Sequence, residues 1–476
     1  MVELASLKLN AIRNFRISLT VAGFKIDISY NSSYTVCVEN DNREMIGLLN
    51  KARFYCGVLF GVILVLGNTI HIKAQTANST ESSFELTSKK NRSVTIPFKL
   101  YNNLIVIPLS INGSDTLNMI LDTGVRNTLI TSLQTNEEVN LNYSRTVRIR
   151  GLGEGASIEA LASYGNTIKI DRVLGTNQEI LVLVEDIFFL SALLGTNVHG
   201  LIGHSAFKDF IVEIDYEKKR IKFHDHERFQ KGYSKRKNSS KWTALPLTFR
   251  DDKPYLDLEI IEKDGSKSTV NLLIDSGASH TMALYYSAND ELDLPKPRIR
   301  SFLGSGLSGE IHGYLGKLHE LRIGDYVLNE PISSYPDEEG IKRALVYSSR
   351  DGSIGADVLR RFKIFFNYQD STLLLQPNEF FKDKFTYNMS GLDIGAPYPN
   401  IPLYEITQVR EGSIADLSGL QKGDIISELN GKRAIKYSIN EVISIFQGKS
   451  GRKVNIRVMR DNKYIRKEFT LRDELN

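Results

Sequence analysis

Apolar positions along most of this chain fall in short runs of strand length, either alternating with polar residues or continuous. LIVIPLSI (104–111) and YLDLEII (255–261) are two such runs, and glycine-rich stretches punctuate the later ones. Helical patterning is brief, around SAFKDF and ADVLRRF. The pattern predicts a mainly β protein.

The pattern also repeats. MILDTGVRNTLI carries Asp122, and LLIDSGASHTMAL carries Asp275, 153 residues later. GLIGHSAFKDFIVEIDY carries Gly203, and GSIGADVLRRFKIFFNY carries Gly355, 152 residues later. Between these landmarks lie GLGEG from Gly151 and GSGLSG from Gly304, each starting 29 residues after its own aspartate. Three landmarks in one order at one spacing indicate two homologous halves, at 96–230 and 242–378. The polar, basic segment 231–241 (KGYSKRKNSSK) reads as the linker between them.

Composition narrows the chemistry. The 476 residues are 41% hydrophobic and 24% charged with a net charge of +4, ordinary values for about three globular domains. Residues 1–75 hold eight Lys/Arg against five Asp/Glu, so the remainder is nearly neutral and has no basic stripe for nucleic acid. Both cysteines, Cys37 and Cys56, lie near the start. A disulfide scaffold, a Cys-ligated zinc and a cysteine nucleophile are therefore excluded from the main body. None of the eight histidines falls in a ligand-spaced motif, so no metal or other cofactor is expected. Catalysis would have to come from oxygen-bearing side chains.

Near the amino terminus, Lys51 and Arg53 precede an uncharged apolar run at 54–66 (FYCGVLFGVILVL), followed by mildly polar residues. This is the layout of a secretory signal and is short for a membrane span; an uncleaved anchor, which alone would bring in a membrane, and a buried helix are the alternatives. Met45 stands just upstream, so residues 1–44 read as an extension that is not translated or is removed with the signal. Residues 1–75 as a whole read as this extension plus the signal or anchor.

Each aspartate follows two large aliphatics, Ile120-Leu121 and Leu273-Ile274, and Thr128 and Thr281 recur after the acids. A D-[ST]-G triplet alone is a common turn. An ionisable carboxyl at the end of a buried strand, twice, is costly unless it works. Hydrolysing an amide without metal or nucleophile takes one carboxylate to accept a proton from water and one carboxylic acid to polarise the carbonyl. Two carboxyls about 3 Å apart share one proton and titrate as a unit. Asp122 and Asp275 meet only if the halves pack about a pseudo-twofold axis, which a duplicated chain supplies as a monomer. Thr123 and Ser276 carry hydroxyls able to bond across that axis, and Gly124 and Gly277 let backbone N–H groups approach the acids.

These motifs resemble the retropepsin-like aspartic peptidases in their single-chain, two-domain form. The resemblance implies two β-barrel halves, and a hydrophobic-hydrophobic-Gly element beneath each active-site loop: Leu201-Ile202-Gly203 and Ser353-Ile354-Gly355. It also implies flaps over a polypeptide substrate at 151–157 and 304–312, around Gly151, Gly153, Gly304 and Gly306; a plain hairpin is the alternative. His204-Ser205 in the first half against Ala356-Asp357 in the second, and Arg126 after Val125, depart from the family pattern.

Residues 385–476 differ in texture. A short helix starts at Ser413, Gly423-Asp424 and Asn430-Gly431 mark turns, and Ser438-x-x-Glu441 forms a capping box. The segment resembles a PDZ domain, a β-sandwich with two helices. The resemblance implies a peptide-binding loop at Gly391, Leu392, Asp393 and Ile394 that takes a protein C-terminus by strand addition; a structural cap on the peptidase is the alternative. A secreted peptidase with a trailing PDZ domain is an arrangement met mainly in bacteria, so the resemblance implies an extracytoplasmic location, periplasmic or in the cell envelope. The expected activity is aspartic endopeptidase. The rival reading is a catalytically silent pseudo-peptidase that binds peptides.

Overall fold

The computed structural model describes residues 15–21, 24–30, 34–40 and 81–476, except 89–91, 134–136 and 346–348. They fall in two units, 1–79 and 80–476. In the first, strands Phe15–Val21, Phe24–Tyr30 and Tyr34–Asn40 form an antiparallel meander. The apolar run 54–66 lies outside the described residues, and among those described no helix is long and apolar enough to cross a membrane.

Residues 80–476 are mainly β, and the duplication is visible strand by strand. In the first half Leu104–Ile111 pairs antiparallel with Leu117–Leu121, beside which Gly200–Ile202 runs parallel. The second half repeats this with Lys253–Ile261, Lys267–Ile274 and Gly352–Ile354. In each, the aspartate just past the strand end donates its N–H to the parallel neighbour: Asp122 to Ile202 O and Asp275 to Ile354 O, both at 2.9 Å. Each half closes into a barrel-like sheet from which one long hairpin extends, Tyr143–Ile149 with Ile158–Ile170 and Arg298–Gly306 with Gly309–Lys317.

A six-stranded sheet joins the halves. Its central pair, Phe210–Asp215 against Phe362–Asn367, takes one strand from each, and all six residues of the first strand are buried. Two of those six are acids, and both are paired. Lys363 reaches Glu213 at 2.8 Å and Asp215 at 3.5 Å, and His224 Nε2 lies 2.9 Å from Glu213. Burial pushes the Glu213 carboxyl up, but hydrogen bonds and charge from His224 and Lys363 outweigh it and bring its pKa down to about 2. A depressed acid stabilises the fold above its unfolded pKa, and that contribution fades only as pH falls toward about 2.

The linker expected at 231–241 is largely helix instead. His226–Lys237 forms one helix, leaving 238–241 as the connection. Asp225 caps it by accepting from Arg228 N–H, and Lys235, Arg236 and Lys237 face its negative end. Tyr233 is buried in a cluster with Ile211, Phe365 and Leu374, with Phe229 packed against it one turn earlier. Two aromatics are enough to hold a segment whose composition otherwise reads as loop.

The C-terminal module has strands Leu392–Gly395, Tyr404–Val409, Ile425–Leu429, Lys453–Arg460 and Lys463–Thr470 in that spatial order. Its helices Ile414–Leu417 and Ile439–Phe446 are capped by Ser413 and by the Ser438–Glu441 box. Its core takes in Ile299 and Ile332 of the second half together with Leu475. Lys317 and Lys263 bind the chain end through Asn476 Oδ1 (2.6 Å) and Leu475 O (3.0 Å). Burial holds Asp393 up at about 6, with Arg410 and a hydrogen bond from Asn388 pulling the other way. A raised acid leaves stability intact below its unfolded pKa near 4 and removes it as pH rises through about 6. Asp393→Asn is expected to raise the melting temperature by a few degrees at pH 7, on the order of 1–3 kcal/mol. Thermal melts at pH 4 should show the gain gone; an equal gain at both pH values would mean the carboxyl's charge is not the cause.

Candidate active site

Each D-[ST]-G triplet leaves a buried strand and turns back so that its glycine N–H donates to its own acid, Gly124 to Asp122 Oδ1 at 2.7 Å and Gly277 to Asp275 Oδ1 at 3.1 Å. The two loops then brace each other. Thr123 N–H donates to Ser276 Oγ and Ser276 N–H to Thr123 Oγ1, both at 3.0 Å. The hydroxyls donate onward, Thr123 to Ile274 O at 2.6 Å and Ser276 to Leu121 O at 2.8 Å. All four bonds are buried and related by the pseudo-twofold axis, so each hydroxyl is used as acceptor and donor at once. Alanine at either position would orphan an N–H and a carbonyl in the interior.

The acids face one another across this brace. A β-carbon on Gly277 would lie 2.2 Å from the Asp122 carboxyl, and one on Gly124 would lie 3.0 Å from Asp275 Oδ1. The glycines are required by close approach. Burial first, and then the neighbouring Asp275 carboxyl, hold Asp122 well above the usual carboxylate range, against the Gly124 N–H and the Lys253 charge.

Beneath the loops, Gly203 and Gly355 leave no room for a side chain: a β-carbon would fall 2.1 Å from Val125 O and from His280 O respectively. Ser353, in place of an apolar residue, is buried beside His280 Nε2 at 3.3 Å. Arg126 points out and pairs with Asp252 (2.9 Å) and Asp251 (3.5 Å) of the other half. The His204-Ser205 departure changes side chains but leaves the loop's path intact. His204 N–H bonds Val125 O at 3.1 Å, as Ala356 N–H bonds Ala278 O at 2.7 Å. The second half adds a bond from Thr281 Oγ1 to Asp357 Oδ2 (2.8 Å), whereas Thr128 Oγ1 is buried without a partner.

The two long hairpins meet over the acids. Ser308 N–H donates to Leu152 O at 2.8 Å and Glu154 N–H to Glu310 O at 3.3 Å, while Gly153 N–H donates to Gly340 O of helix Glu338–Leu345 at 2.8 Å. Gly151 N–H reaches Ser308 Oγ at 3.3 Å. A β-carbon on Gly306 would sit 2.3 Å from Leu152 O, so Gly151, Gly153 and Gly306 lie at the junction. Gly304 stands in open space at φ +129°.

Below lies a cleft of about 730 Å³ that contains Asp122 and Asp275, walled by Phe188, Leu190 and Leu193 of the first half and Tyr255, Tyr285 and Ile311 of the second. Sequence reasoning missed this wall; the apolar run IFFLSALL (187–194) was its visible signal. A larger cavity, about 1350 Å³, lies between the C-terminal module and the back of both halves, but neither aspartate lines it. Among the described residues no group of three His, Cys, Asp or Glu is placed to hold a metal ion.

At the C-terminal module, Gly391 has φ +80° and leads into strand Leu392–Gly395, which carries Asp393 and Ile394. The Ser390 and Gly391 N–H groups donate to Asn388 Oδ1 (3.1 and 3.2 Å), and the Leu392 N–H to Ser390 Oγ (3.1 Å). This strand is the edge of its sheet, and it abuts helix Leu190–Leu194: Ala396 N–H donates to Ala192 O at 2.7 Å.

Comparison with known proteins agrees with this division. An aspartyl protease family model matches residues 107–206 and again 260–358, and a PDZ domain model matches 405–460. The chain is similar in structure to the aspartic proteinase from Irpex lacteus, at 12% identity and a TM-score of 0.40, over 61% of this chain and 99% of that one. No curated protein matches in sequence. The chain thus carries two retropepsin-like aspartyl protease repeats followed by a C-terminal PDZ domain.

Proposed function

We propose that this protein is an aspartic endopeptidase in which Asp122 and Asp275 share a proton and activate a water between them. The ionised carboxyl takes a proton from the water as it attacks the peptide carbonyl, and the protonated one donates to the carbonyl oxygen. Collapse of the tetrahedral intermediate returns that proton balance and passes a proton to the leaving amine. The observation that carries this reading is the reciprocal Thr123–Ser276 brace, which sets the two aspartate loops against each other beneath the paired hairpins. The same brace weighs against a silent pseudo-peptidase, which has no use for such precise placement. Incubation with denatured casein across pH 3–7 tests it: new amino termini in the wild type and none in Asp275→Asn support a peptidase. Peptide binding with no cleavage at any pH would establish the silent binder.

The PDZ domain is read first as support for the cleft wall, because its edge strand abuts the helix that carries Leu190 and Leu193. A protein C-terminus joining that edge would have to displace this contact and the Asn388 carboxamide. Deleting 385–476 is accordingly expected to lower the melting temperature and to reduce cleavage of short and long substrates alike. A loss confined to the KM of proteins with free apolar C-termini would instead show that the domain recruits them. The apolar run 54–66, with no cysteine after Cys56, supports secretion and an extracytoplasmic site of action.

A further inference from the structure

The cleft holds a cation that the chemistry of hydrolysis does not use. Arg350 lines it on the Asp275 side, next to Tyr255, Tyr285 and Ser353. Its Nη2 donates to Tyr285 Oη at 3.2 Å, and its guanidinium lies 5.5 Å from the Tyr285 ring centre. Its Nε is buried with no hydrogen-bond partner. Among the described residues no carboxylate lies within ion-pair distance of it, although the Asp275 charge acts on it; Arg361, buried in the same half, has Asp357 at 3.7 Å. Burial works against this charge, while Tyr285, Tyr255 and Asp275 favour it, and the Nε–H is still a donor without an acceptor. Three further cations, Arg148, Arg150 and Lys253, line the same cleft with Asp251 and the aspartate pair. Arg148 is paired with Glu159 at 3.4 Å and Lys253 offsets the charge of the aspartate pair, which leaves Arg150 and Arg350, among the described residues, as the cleft cations without a counter-charge within ion-pair distance.

We propose that Arg350 forms a specificity subsite that takes an acidic side chain, Glu or Asp, of the polypeptide on the Asp275 side of the cleft. The planar guanidinium can present two N–H donors to one carboxylate, with the Tyr285 ring holding its plane. Glutamine in the same place would accept a hydrogen bond but bring no charge, so discrimination rests on charge. This subsite deepens the peptidase reading and rests on it for its substrate, but its binding can be measured without turnover.

The test uses full-length Asp122→Asn protein and pairs of short fluorescent peptide pools that are identical except for Glu or Gln fixed at one position. Fluorescence anisotropy should show Glu bound about tenfold or more tightly than Gln at one position. In the Arg350→Gln background that ratio should fall toward one, and Arg350→Lys should keep part of it. Equal affinity for the Glu and Gln pools at every position would overturn the subsite, and this comparison does not depend on any Arg350 variant folding. A Glu preference that persists undiminished in Arg350→Gln would also overturn it. Should the wild type cleave nothing while the Glu preference stands, the peptidase reading fails and the subsite survives.

Discussion

Replacing either Asp122 or Asp275 with asparagine is expected to abolish cleavage, by at least about a thousandfold, while the fold holds or gains stability. Each acid has one role in the ground state and the opposite role after proton transfer, so an amide on either side breaks the exchange. The stability expectation follows from the site's electrostatics. Asp122 is buried against Asp275 and held well above the usual carboxylate range, which means that the ionised pair is strained. Removing one ionisable group relieves that strain, and asparagine Oδ1 can still accept from the glycine N–H two residues on. Casein cleavage and thermal melts of both variants check the two halves of this statement. Residual activity above about a tenth in either variant would sink the shared-dyad mechanism.

Cutting the chain between its halves should be nearly as damaging, for a reason beyond the loss of one aspartate. Fragments 76–235 and 238–380 would each expose a central strand of the joining sheet, Phe210–Asp215 in one and Phe362–Asn367 in the other. Both strands are largely buried, and an exposed apolar edge of that kind pairs with whatever strand it meets. Each fragment alone is expected to be inactive and to associate in light-scattering measurements, with activity recovered on co-expression. Full-rate cleavage by one fragment would mean that a half dimerises with itself to make a complete site.

Much of this architecture was legible in the sequence because the features concerned are local or periodic. The D-[ST]-G triplets, their equal spacing to the glycine-rich stretches, and the Ser438–Glu441 box each depend on residues close in the chain. The structure adds what depends on long-range placement. Arg126 looked anomalous until Asp251 and Asp252 of the other half came beside it. The helix over 226–237 was hidden because its apolar anchors are two aromatics, Phe229 and Tyr233, in an otherwise polar segment. The cleft wall sets Phe188, Leu190 and Leu193 opposite residues about 60 to 120 positions later, and the edge contact joins Ala192 to Ala396, 204 positions later. No periodicity encodes such a pairing.

The closed hairpin tips have a kinetic consequence. Ser308, Leu152, Glu154 and Glu310 hold the roof shut through backbone bonds that do not involve substrate. A polypeptide long enough to protrude from both ends of the cleft cannot thread in beneath them, so the roof must part before binding and reclose over the bound segment. Association is then gated: its observed rate should level off with substrate concentration at the opening rate, whatever the sequence offered. On the peptidase reading, such a gate would make local unfolding of the substrate part of the choice of cleavage site.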